Sequence, residues 1–193
     1  VPERHQSMNA VIDQSWQMLD TEERNSFMQL AVFQGGFTLQ AAAEVAGATL
    51  PILSALVTKT LERREADGRY QIHELLRQYG DEKRAQSPAR EAAAQRTHGA
   101  YFMRFLADRR HLFFGPHQRQ AAQEIGDELG NVRKAWQWAI DHLEAESIRK
   151  GGGALISICQ YRSRYLEGAD LFLKASRRLE TDIVASMRPQ LVQ

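Results

Sequence analysis

One cysteine, five prolines and three tryptophans among 193 residues leave several classes of protein with nothing to build on. Cys159 alone excludes an internal disulfide and a multi-cysteine metal centre. Set among Leu155, Ile156 and Ile158, it reads as a buried structural thiol, and the chain suits a reducing, cytoplasmic compartment. No stretch approaches the roughly 18 apolar residues that cross a bilayer, so no membrane partner is expected. The opening Val1-Pro2-Glu3-Arg4-His5 has neither the basic nor the apolar region of a leader, and no initiator Met, so a piece of a longer chain is expected. Enzyme signatures are missing too. There is no Gly-x-Ser-x-Gly elbow, no His-Glu-x-x-His metal spacing, and no Gly-Lys-Ser/Thr after a strand. The chain is expected to hold no catalytic centre, no metal and no cofactor of its own.

What remains is an ordinary globular composition, 43% hydrophobic and 25% charged. Net charge is +1, unevenly placed: nine basic and twelve acidic residues up to Gln86, sixteen and twelve from Ser87 onward. The first part is therefore acidic and the second basic.

Periodicity predicts helices almost throughout. Val11, Ile12, Trp16 and Leu19 recur at helical spacing within 5–19. Asp20-Thr21-Glu22-Glu23 is a capping-box pattern that starts a second helix. Gln34-Gly35-Gly36 ends it, Thr38 caps a third helix that Gly47 closes, and Pro51 suits the first turn of a fourth. Two strands, 61–65 and 70–73, flank an Asp67-Gly68 hairpin signal, and a helix over 73–85 follows. Short helices and then a lone hairpin predict a winged helix-turn-helix over residues 1–86. With Gln86-Ser87-Pro88 as linker, residues 87–193 predict a helical-repeat array, truncated at its end. Ile125, Leu129, Val132, Trp136, Ile140 and Leu143 form one apolar stripe along a single predicted helix, and Trp138 lies off that stripe. Gly151-Gly152-Gly153 reads as a hinge or a helix start, and the next helix spans 165–179.

The segment 4–80 resembles the winged-helix domain of STAND regulatory ATPases, especially bacterial transcriptional regulators with an NB-ARC-like core. The residues that carry the likeness are Arg4-His5-Gln6-Ser7, Trp16, Leu19 to Arg24, Val32 to Thr38, Leu53 to Leu61, and Tyr70 to Tyr79. The second part is similar to a tetratricopeptide-type arm, through Glu128, Asn131, Val132, Arg133, Ala135 and Trp138, then Tyr165, Glu167, Gly168, Phe172 and Ala175. The resemblance implies that Ile72-His73-Glu74 stands where a Met-His-Asp motif is common. It further implies that His73 reaches the β-phosphate of ADP held, as ADP or ATP with magnesium, on an upstream nucleotide-binding domain absent from this chain. The arm would then engage a protein or small-molecule inducer. Ile72 and Glu74 depart from the motif, the latter placing its carboxylate one carbon farther out. A helix mouth suits an anion on physical grounds, since its first N–H groups lack intrahelical partners. The alternative for His73 is a structural residue between wing and helix; Arg77, one turn on, either assists or is solvated, and the solvated reading is favoured.

DNA binding is the rival function. Its recognition helix would be 51–61, with Lys59 there and Arg63, Arg64 and Arg69 in the wing as phosphate contacts. The acidic balance of this part argues against direct DNA binding, because phosphate neutralisation supplies most duplex affinity. The histidines at 5, 98, 111, 117 and 142 read as surface or helix-packing residues. A third idea is a repeat scaffold that binds a peptide, with the winged helix as its cap.

Overall fold

The computed structural model describes residues 12–59 and 61–187, with side chains to 182; the predicted starts at 5 and the break at Pro189 lie outside them. The chain is mainly helical with a small two-stranded antiparallel sheet, and it divides into two compact units, Val1–His98 and Gly99–Gln193.

The first described element of the first unit is helix α1 (residues 12–17). Helix α2 (Thr21–Leu30) is capped as its sequence predicts: Asp20 Oδ1 accepts the Glu23 N–H at 2.9 Å, and Glu23 Oε2 accepts the Asp20 N–H at 2.8 Å. Helix α3 (Leu39–Ala46) starts on Thr38, whose hydroxyl accepts the Ala41 N–H, and ends at Gly47 with φ 63°. Helix α4 (Leu50–Thr58) follows, with Pro51 in its first turn.

Strands β1 (Arg63–Arg64) and β2 (Tyr70–Gln71) pair with Arg63 opposite Gln71 and Arg64 opposite Tyr70, shorter than the five- and four-residue runs the sequence suggests. So small a hairpin needs outside support. Phe37 supplies it, exchanging both backbone hydrogen bonds with Tyr70 at 2.9 and 2.8 Å. The ring of Phe37 stacks on Phe33 at 4.5 Å and on Tyr70 at 6.1 Å, and buried His98 meets Phe33 edge-on. The paired glycines before Phe37 divide the work. Gly35 takes φ 92°, while a side chain at Gly36 would lie 3.1 Å from the Tyr70 carbonyl.

Helix α5 (Glu74–Ala85) packs on α2, and a two-residue turn, not an extended linker, joins it to helix α6 (Pro88–Arg109). At this turn Arg84 is 2% exposed yet fully paired. It donates to Glu91 at 2.7 Å and to the Met28 carbonyl at 3.0 Å, and also binds Asp81.

In the second unit a short 3-10 turn (Arg110–Phe114) follows α6 and precedes helices α7 (Gln118–Asp127), α8 (Leu129–Asp141), α9 (Ala145–Tyr161) and α10 (Tyr165–Met187). The single stripe expected from Ile125 to Leu143 is two helices, broken at Glu128, which is 4% exposed and accepts from Asn131 at 2.7 Å. The glycine triplet is neither hinge nor start. It lies inside α9, where added methyls would meet Met103 at 3.1 Å beside Gly151, Phe172 at 3.3 Å beside Gly152 and Arg110 at 2.7 Å beside Gly153. Close helix approach therefore overrides glycine's poor helix propensity. Trp136 is fully buried, donates to the Leu171 carbonyl and packs on Phe172; Trp138 stacks on His142 and lies against Gly99.

The turns after α8 and α9 are the same structure. Leu143 (φ 57°) and Ser163 (φ 55°) both take the left-handed conformation. The following N–H bonds five residues back in each case, Glu144 to Ala139 at 2.8 Å and Arg164 to Cys159 at 2.7 Å. Among the described residues, no single helix is long and apolar enough to cross a membrane.

Candidate functional site

His73 is the N-cap of α5 and is exposed. Its extended backbone (φ −59°, ψ 141°) delivers the chain from β2 to the helix. There Nδ1 accepts the Leu75 N–H at 3.3 Å. A ring nitrogen that accepts leaves the proton of the neutral imidazole on the other nitrogen, so Nε2–H is the donor left for anything outside. The ring thus caps its own helix with one edge and keeps a donor on the other.

The neighbouring carboxylate is already engaged. Glu74 takes a two-point contact from Arg77, at 2.9 Å from Nε and 2.7 Å from Nη2, and a third bond from Gln78 at 2.9 Å. The Arg77 hydrogen bond holds the Glu74 carboxyl down to about 2. Arg77 is not solvated as expected. Its side chain is 15% exposed, and its remaining arm donates to Asp81 at 2.6 Å. An arginine shared by two carboxylates has no free fork for a phosphate. Its evident part is to cancel the negative charge of Glu74 at the helix mouth.

The four cations proposed for DNA are not brought together as one free surface. Lys59, at the end of α4, is bound to Glu23 Oε1 at 2.7 Å, which ties α4 to the capping box of α2. Arg63 lies 3.3 Å from Glu65. Arg64 is exposed, while Arg69 packs beside Gly36 at the hairpin base.

Three features escaped sequence reasoning. Glu62, just before β1, is 6% exposed with both carboxylate oxygens shut from water and unpartnered, and burial pushes its pKa up to about 8. Arg84 is the second. The third is a group of arginines around Glu167 near Cys159, assembled from α8, α9 and α10. Their burial carries no local signal, because it depends on residues brought in by packing. Among the described residues no group of His, Cys, Asp or Glu could hold a metal ion.

Comparison with known proteins gives a distant likeness. The chain is 29% identical over 180 residues to proteins named as HTH-type transcriptional regulators in Mycobacterium bovis and Mycobacterium tuberculosis. The match covers 88% of this chain and 20% of theirs, so the chain spans about a fifth of the length of the curated relatives it matches. No protein-family model matches it. No solved structure matches it significantly.

Proposed function

We propose that this chain is a regulatory module of a longer STAND-type transcriptional regulator, its first unit a winged helix that closes over a nucleotide carried by another domain. The likeness to transcriptional regulators supports the regulatory role. Exposed His73, capping α5 through Nδ1 and offering Nε2–H outward, is the observation that carries the nucleotide reading. ADP, bound with magnesium on the absent domain, would present its β-phosphate to that donor. One neutral hydrogen bond is strong enough to bias a closed state and weak enough to release it. Arg77 assists indirectly, by neutralising Glu74. The second unit is a helical arm that takes a protein or small-molecule inducer, in a reducing cytoplasm.

The arm's spacing refines its class. Leu143 and Ser163 stand twenty residues apart, so a helix pair with both turns takes about forty. Tetratricopeptide repeats take 34, whereas longer helical-pair repeats take roughly 40–47. The arm is read here as the longer kind.

In the longer protein, His73→Ala should raise the ADP dissociation rate about tenfold, the equivalent of one lost hydrogen bond of roughly 1.4 kcal/mol. Stopped-flow release of a fluorescent ADP analogue measures it, and an unchanged rate removes the nucleotide reading.

A further inference from the structure

Strand β1 has no buried side chain of its own. Arg63 and Arg64 are both exposed, so the strand is seated by the two residues before it, Leu61 and Glu62, which are both buried. Leu61 is an ordinary anchor, its N–H bonded to the Leu56 carbonyl at 3.0 Å. Glu62 is not. Both its carboxylate oxygens are shut from water and meet no donor.

No charge compensates it. Lys59, three residues earlier, is held by Glu23, and Arg63, the next residue, lies against Glu65. Burial alone keeps the Glu62 proton on to about 8, with no cation or anion of any neighbouring element contributing. A neutral acid is tolerated in such a place, whereas an unpaired carboxylate is far costlier to bury. Glu62 can therefore give up its proton readily only when water reaches it, and water reaches it when the chain at β1 lifts. Little resists that movement, because β1 is two residues long and so short a pairing is marginal by itself.

We propose that Glu62 is a proton-operated latch for the hairpin: neutral, it seats β1 on the first unit; ionised, it draws β1 into water and parts it from β2. Strand β2 is then left with its bridge to Phe37. His73, two residues beyond Gln71, loses part of the support that delivers it to the mouth of α5. That last consequence, a weaker grip on phosphate, rests on the nucleotide reading of His73; the latch itself does not.

The sign follows from the two states. The exposed carboxyl releases its proton near 4.5 and the seated one near 8. Opening should therefore rise by up to about tenfold per pH unit between those values and level off above them.

Amide hydrogen exchange of the full chain, followed by NMR from pH 5 to pH 9 and corrected for intrinsic base catalysis, tests it. The reporters are the N–H groups that bracket Glu62, those of Leu61 and of Glu65, the latter bonded to the Arg69 carbonyl at 2.8 Å. Both should lose protection by about tenfold per unit up to pH 8 and hold steady beyond. Their exchange should depend less on added urea than that of Leu30 in α2, since a local opening exposes little surface. Glu62→Gln, neutral at every pH, should keep its protection constant, and His73→Ala should keep the slope. Protection independent of pH, a urea dependence equal to that of Leu30, or a slope that survives in Glu62→Gln overturns the latch. Should Glu62→Gln fail to fold, carbon-13 titration of the Glu62 carboxyl in the unaltered chain decides: a midpoint above pH 7 supports the latch and a lower one overturns it. An unchanged ADP release rate in His73→Ala of the longer protein would strike the nucleotide reading and leave these exchange results standing.

Discussion

At the scale of single residues, Glu62 sets the most direct expectation. Unfolded, its carboxyl releases its proton near 4.5; folded, it holds the proton to about 8. Between those values the unfolded chain binds fewer protons, so stability falls as pH rises through that window, by about 1.4 kcal/mol per pH unit at most, and levels off above it. Glu62→Leu should flatten this dependence and stabilise the protein at pH 8. Urea unfolding at pH 5, 7 and 9 reads it, and parallel curves for the two proteins count against an orphan carboxyl. The sequence marks His73 well, since a strand, a histidine and a helix start are adjacent there. It does not mark the fate of cations. Lys59 is taken by Glu23, 36 residues away, and Arg77 by partners three and four residues away that any solvated helix face also presents.

At the scale of elements, caps were legible and interruptions were not. Asp20, Thr38 and Gly47 act within one turn of chain, so their chemistry is written locally. The break at Glu128 and the helical course of the glycine triplet come from tertiary packing, which local propensity does not encode. Gly80 shows the same constraint in α5. A methyl there would stand 2.7 Å from the Ala31 Cβ, inside α2's packing surface. Gly80→Ala should therefore destabilise the first unit by roughly 1–3 kcal/mol despite alanine's better helix propensity. A gain in melting temperature instead would mean that α5 and α2 are not in close contact. Ser163, by contrast, is exposed and left-handed. Ser163→Gly should stabilise by up to about 1 kcal/mol, since glycine adopts that conformation without a Cβ clash. Thermal unfolding of the two proteins side by side measures it; a loss of stability would speak against the turn.

At the scale of the whole molecule, charge bears on the DNA-binding reading. The first 86 residues hold nine basic and twelve acidic residues, and two of the four cations suited to DNA, Lys59 and Arg63, lie against carboxylates. Fluorescence anisotropy with a mixed-sequence duplex at physiological salt should show no binding tighter than roughly 100 μM. Micromolar affinity lost on changing Arg63, Arg64 and Arg69 would return the recognition-helix reading to first place. The mainly helical class and the single hairpin were legible from periodicity and one Asp-Gly step. The turns that end α8 and α9 were not, because they use Leu143 and Ser163 in place of the glycine or asparagine that would announce them.

The glycine triplet in α9 reaches further than its local packing. Each glycine costs about 1 kcal/mol against alanine in a helix interior, so three in succession leave this segment unable to hold its shape unaided. Its coil-to-helix balance is lent by the neighbours that crowd those bare backbones. The arm consequently does not unravel one rod at a time. Loosening any of the elements that crowd the triplet, α6 at Gly151, α8 and α10 at Gly152, or the 3-10 turn at Gly153, weakens the support that keeps α9 wound.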